Sequence, residues 1–121
     1  MKAERDATQI VKPSIREYSR QVLVCTGPRC TQNGEGEALF NALQAKFRAA
    51  GLGVDAGPAR VKRTRTGCVA ACQGGPIVAV QPDGVWYYNV TDENIDRIIE
   101  EHLKQGRVVA DLVFHQAGGE A

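Results

Sequence analysis

The sequence predicts an α/β domain built on a small mixed sheet, and three observations carry that expectation. Short β-branched runs lie next to paired cysteines, and two stretches repeat apolar residues at helical spacing. Pro82-Asp83-Gly84 separates two further apolar runs as a hairpin turn, because proline and glycine preset the turn dihedrals. With 121 residues, 43% of them hydrophobic and 24% charged, the chain has the size and composition of one globular domain with a single core.

Residues 1–19 are polar and lack a clear period, so they read as a flexible N-terminal tail. Gln21 to Cys25 is the first strand, ending at a cysteine. Gly36, Leu39, Phe40, Leu43, Phe47 and Ala50 then recur at helical spacing, predicting a helix over about 35–50 that Gly51 and Gly53 stop. Arg60 to Thr66, rich in Val, Thr and Arg, reads as a second strand, charged enough to lie near a sheet edge. Ile77 to Gln81 and Val85 to Asn89 are the arms of the hairpin. Thr91 is placed to cap the last helix, with Asp92 and Glu93 at its positive end and Val90 able to staple onto Ile95. Ile95, Ile98, Ile99 and Leu103 form the apolar stripe of that helix up to Gly106. Val108 to Phe114 is a further apolar segment within a C-terminal arm, 105–121, so the domain itself spans 20–104.

The order is β-α-β-β-β-α. Two strands joined across a helix pair in parallel by a right-handed crossover, and the hairpin adds antiparallel strands. A mixed sheet with flanking helices and this order is the core of a thioredoxin-like fold. In that fold the loops after the first two strands lie at one end of the sheet, which would bring Cys25 and Cys30 together with Cys68 and Cys72.

Several function classes lose support at once. No apolar run approaches the roughly 18 residues of a membrane span, so no membrane insertion is expected. A formal net charge of +1 gives no support for nucleic-acid binding. The charged start Met1-Lys2-Ala3-Glu4-Arg5-Asp6 is not followed by the apolar stretch of a secretory signal, which makes a cytoplasmic, reducing setting the expectation and disfavours structural disulfides.

The four cysteines therefore need another chemistry. Thiol–disulfide exchange normally uses Cys-x-x-Cys opening a helix, and the gaps here are four and three residues. Tetrahedral zinc is satisfied by four thiolates and stays open as a zinc-stabilised interaction module. Two separated pairs suit a two-iron rhombus better than a four-iron cluster, whose cysteines commonly come in a compact run. His102 in the last helix and His115 in the arm are not placed for a histidine-ligated centre and read as ordinary surface or helix-end residues. Trp86, Tyr87 and Tyr88 alternate along a strand and read as packing rather than an electron relay.

At Cys25-x4-Cys30, and at Cys68-x3-Cys72 followed by Gly75-Pro76 and the hairpin, the chain resembles the thioredoxin-like 2Fe–2S ferredoxins. These include stand-alone ferredoxins and the two-iron subunit of respiratory NADH dehydrogenases. The resemblance covers about 21–103, and His102-Leu103 followed by Gly106-Arg107 is similar to the family's ending. Two departures stand out. Ala70 lies where the family often has glycine, and 1–19 is too short for the helical domain of the respiratory subunits, which favours a free ferredoxin.

The resemblance implies a one-electron carrier, not an enzyme, with one 2Fe–2S cluster. Cys25 and Cys30 would hold one iron, and Cys68 and Cys72 the other. Backbone N–H groups of Gly27, Gly74 and Gly75 could approach the sulfurs where no Cβ intervenes. Arg29, Lys62, Arg63 and Arg65 are candidates for docking acidic partners, a reductase and an acceptor oxidoreductase, and a homodimer is compatible with the sequence. Pro76 stands where the fold often places a cis proline. The rival from a different class is a redox-responsive cluster protein that regulates or protects a partner enzyme.

Overall fold

The computed structural model describes residues 10–27, 31, 33–67 and 73–117. Its five strands are β1 (Arg20–Cys25), β2 (Val61–Thr66), β3 (Val78–Gln81), β4 (Val85–Tyr87) and β5 (Val113–Gln116), in the spatial order β2-β1-β3-β4-β5. β1 and β2 pair in parallel and the other neighbours are antiparallel, as a crossover followed by a hairpin demands. The crossover helix is α1 (Glu35–Ala49). The last helix begins as α2 (Asp92–Arg97) and continues as a π-helical turn over Ile98–Leu103.

Alternation along the strands decides what is buried. Val22 and Val24, Val78 and Val80, and Val85 and Tyr87 all enter the core, where they meet Leu39, Leu43 and Phe47 of α1. From the last helix come Ile95, Ile98, Ile99 and Leu103, the stripe read from the sequence. Ile95 and Ile98 are fully buried, and each such side chain contributes about 1.5–3 kcal/mol. Thr91 caps α2, its Oγ1 accepting the Asn94 N–H at 3.2 Å. Lys46 of α1 reaches across to Asp96 at 2.8 Å and Asp92 at 3.3 Å, fastening the two helices on their solvent side.

Three differences from the sequence expectation have local causes. β4 stops at Tyr87 instead of running to Asn89, because Asn89 takes a positive φ of 50° and donates its N–H to Gly74 O, turning the chain toward α2. The segment after Gly106 is more than a packed arm. Val109 and Leu112 bury, and Val113–Gln116 pairs with β4 as a fifth strand that the six-element order did not contain. The end of the last helix is π-helical: Lys104 N–H bonds Ile99 O at 3.0 Å, five residues back, with Gly106 at φ 76° closing the turn.

Candidate metal centre

Cys25 ends β1, the strand held between β2 and β3, and is fully buried. Its N–H donates to Ile77 O at 3.0 Å, which fixes the residues after the second cysteine pair beside the first cysteine. The next residue, Thr26, donates its N–H to Thr66 O at 2.8 Å, continuing the ladder to the ends of β1 and β2. There the two loops touch. A Cβ built on Gly27 would lie 2.1 Å from Gly67 O, a separation only glycine permits. Gly67 immediately precedes Cys68 in the sequence, so the chain approaches the second pair against the loop that follows Cys25.

α1 is drawn to the same place. A Cβ on Gly36 would meet Cys25 O at 2.3 Å, and Gly36 N–H donates to Thr31 Oγ1 at 3.1 Å. On the far side of the second pair, Gly74 holds φ 74° and its carbonyl accepts from Asn89, while Val90 N–H donates to Pro76 O at 3.0 Å. The Gly75–Pro76 and Gln81–Pro82 peptide bonds are cis. The sequence singled out Gly27 and Gly74 for access to sulfur. The geometry supplies a separate reason for each: contact with a carbonyl at 27, a left-handed backbone at 74. Gly75 is half-buried next to Pro76. Cys30, Cys68, Cys72, Arg29 and Ala70 lie outside the described residues.

The other basic candidates are on β2, the edge strand. By register Arg65 stands beside Val24, one step short of Cys25, whereas Arg63 pairs with Val22 and Lys62 with Gln21. At about 3.3 Å per residue, Lys62 is four steps, on the order of 13 Å, from the cysteine end. The guanidinium groups of Arg63 and Arg65 lie 4.1 and 4.7 Å from the Phe40 ring centroid, and Arg65 also pairs with Glu37 at 3.1 Å.

From the β3–β4 turn at the far end of the sheet, a buried polar chain that the sequence reading missed runs inward to Tyr87, which the register places level with Val24. His102 does lie in the last turn of its helix, but fully buried and not on the surface: Nδ1 is 2.7 Å from the Tyr87 hydroxyl and Nε2 2.6 Å from Asp83 Oδ2. Val109 N–H donates to the same hydroxyl at 3.1 Å, and Arg20 Nε pairs with Asp83 at 3.0 Å. Both ring nitrogens thus have a polar partner, the hydroxyl on one side and the carboxylate on the other. Burial pushes the Asp83 carboxyl up, but the hydrogen bonds from His102 and Arg20 together outweigh it and hold its pKa below the usual value. Burial raises the Tyr87 pKa and keeps the hydroxyl protonated. A signal was present in the sequence: His102 lies seven residues after Ile95 and four after Ile98, squarely on the apolar stripe. His115, by contrast, is exposed on β5, while Tyr87 is buried and Tyr88 rests edge-on against Phe114 at 6.3 Å.

Comparison with known proteins agrees at every level. The family model "Thioredoxin-like [2Fe-2S] ferredoxin" matches residues 15–103. A 2Fe–2S ferredoxin of Aquifex aeolicus is 37% identical over 98 residues, covering 78% of this chain and 88% of that protein. A putative 2Fe–2S ferredoxin of Priestia megaterium is 40% identical over 103 residues, covering 85% and 76%. The solved structure of a thioredoxin-like [2Fe–2S] ferredoxin from Aquifex aeolicus superimposes with a TM-score of 0.70 at 34% identity, over 84% of this chain and 96% of that one. Fold, cysteine-bearing strand and sequence thus converge, and the chain belongs to the thioredoxin-like [2Fe–2S] ferredoxin family, whose members bind a 2Fe–2S cluster.

Proposed function

We propose that this chain is a one-electron carrier holding a single all-cysteine 2Fe–2S cluster, with Cys25 and Cys30 on one iron and Cys68 and Cys72 on the other. The observation that carries the reading is the contact of Gly27 with Gly67 beside buried Cys25, which leads the chain into both cysteine pairs at one end of the sheet. The donor set fits the group: four thiolates satisfy two tetrahedral irons bridged by two sulfides. When bound, the cluster takes up and releases one electron. Burial of Cys25 keeps water from that sulfur, and the backbone N–H groups of Gly27, Gly74 and Gly75 are the donors that would offset the added negative charge. Arg65, one step from the cysteine end, is the described cation best placed to favour the reduced state. Partners are a reductase and an acceptor oxidoreductase that dock at this end.

Purification without oxygen followed by iron, sulfide and zinc analysis tests the reading. About two irons and two sulfides per chain are expected, in a red-brown protein that becomes paramagnetic on one-electron reduction. A colourless protein carrying one zinc would refute it.

A further inference from the structure

The outer side of β2 is a sheet edge, and its backbone polarity can be read from three bonds. Arg60 O accepts Ser19 N–H at 2.7 Å and Thr66 O accepts Thr26 N–H at 2.8 Å, both toward β1. Val61 N–H instead points away from β1, to Leu52 O at 2.9 Å. Successive residues of a strand direct their backbone groups to opposite sides, so Arg63 and Arg65 present N–H and C=O outward, like Val61. No strand pairs with that side among the described residues.

A cleft of about 280 Å³ runs between this edge and α1. Four cations line it, Arg48 from α1 and Arg60, Lys62 and Arg63 from the edge, over an apolar floor that includes Phe40. No carboxylate is among the lining residues. The cations are held by other means: Arg63 stacks on Phe40 and donates to Phe40 O at 3.0 Å, and Lys62 lies 4.5 Å from the Tyr18 ring centroid. Among the described residues none of the four makes an ion pair, although Glu17 and Asp55 line a neighbouring pocket with Arg60.

We propose that this edge and cleft dock an extended, acidic segment of a redox partner, taken up as an added strand beside β2. The open N–H and C=O groups call for an extended chain, and the four cations call for carboxylates. β2 runs parallel to β1 with Thr66 beside Cys25, so a segment paired along Arg63 and Arg65 is led to the cysteine end. That the partner is a redox protein rests on the carrier reading above; the binding itself does not.

The test uses the cluster-loaded protein and a fluorescein-labelled peptide of eight residues alternating glutamate and valine, read by anisotropy and by hydrogen exchange. The peptide should bind, with affinity falling about tenfold as the Debye length shortens from about 10 Å to about 3 Å. Arg48→Gln with Arg60→Gln should weaken it at least about fivefold, while Lys104→Gln, outside the cleft, should leave it unchanged. Far-ultraviolet circular dichroism reports whether each variant is folded. Added peptide should slow exchange of the Arg63 and Arg65 amides, the signature of strand pairing. No binding, equal binding of the glutamine analogue, or binding without amide protection overturns the proposal and leaves the cations as guards against self-pairing of an edge. Because anisotropy reads binding whatever electrons do, failure here is separate from failure of the carrier reading.

Discussion

Replacing Tyr87 by phenylalanine removes one oxygen from a core that otherwise keeps its shape. That oxygen serves two buried groups: it accepts Val109 N–H at 3.1 Å and meets His102 Nδ1 at 2.7 Å. Neither group has water nearby, since Val109 is 2% exposed and His102 fully buried. Leaving a buried polar group without a partner costs about 1–3 kcal/mol each, partly offset because the hydroxyl no longer has to be desolvated. The net loss is about 2–4 kcal/mol, below the 5–15 kcal/mol typical of a domain, so Tyr87→Phe should fold and bind its cluster yet melt on the order of 10–20 °C lower. The assay is anaerobic calorimetry of wild type and variant at one scan rate, with cluster absorbance followed in parallel, because cluster loss makes the transition kinetic. A shift under about 2 °C would refute the reasoning, for it would mean that Val109 and His102 find other partners at no cost.

Asp83 sets an acid limb on stability. Its depressed folded pKa gives stability that is present above the ordinary carboxylate value and lost as pH falls through the folded value. Asp83→Asn should therefore melt lower at pH 7 and lose less on acidification; parallel acid limbs for the two proteins would contradict this. Gly27→Ala should block cluster assembly, since its Cβ would lie 2.1 Å from Gly67 O, and full iron content in that variant would show that the loops can part freely. Serine at Cys25, Cys30, Cys68 or Cys72 should weaken or abolish the cluster's visible spectrum, whereas His115→Ala should leave it intact; a histidine variant without the spectrum would overturn all-cysteine ligation.

Period and punctuation made most of the architecture legible. The stripe Ile95, Ile98, Ile99 and Leu103 and the turn at Pro82-Asp83-Gly84 are local signals, and each is found in the fold. β5 escaped because Val113–Gln116 carries no alternation of its own; what makes it a strand is the open side of β4, a long-range fact. His102 escaped for a related reason. Its place on the apolar stripe was visible, but a histidine is accepted there only because Tyr87 and Asp83 arrive from the hairpin to satisfy both nitrogens. The place of Cys25 at the end of the first strand was legible from the β-branched run before it, whereas the contact of Gly27 with Gly67 depends on how two distant loops meet.

The buried polar chain also orders events during synthesis. All four cysteines are translated before Tyr87, and Tyr87 must wait 22 residues more for the Val109 N–H that its hydroxyl accepts. At about 5–20 residues per second that interval is about one to four seconds. The cysteines and the buried polar chain thus mature on different clocks: all four thiols have been synthesised while Tyr87, His102 and Asp83 still lack their last donor. A nascent chain arrested between Tyr87 and Val109 would carry every thiol but an unsealed core.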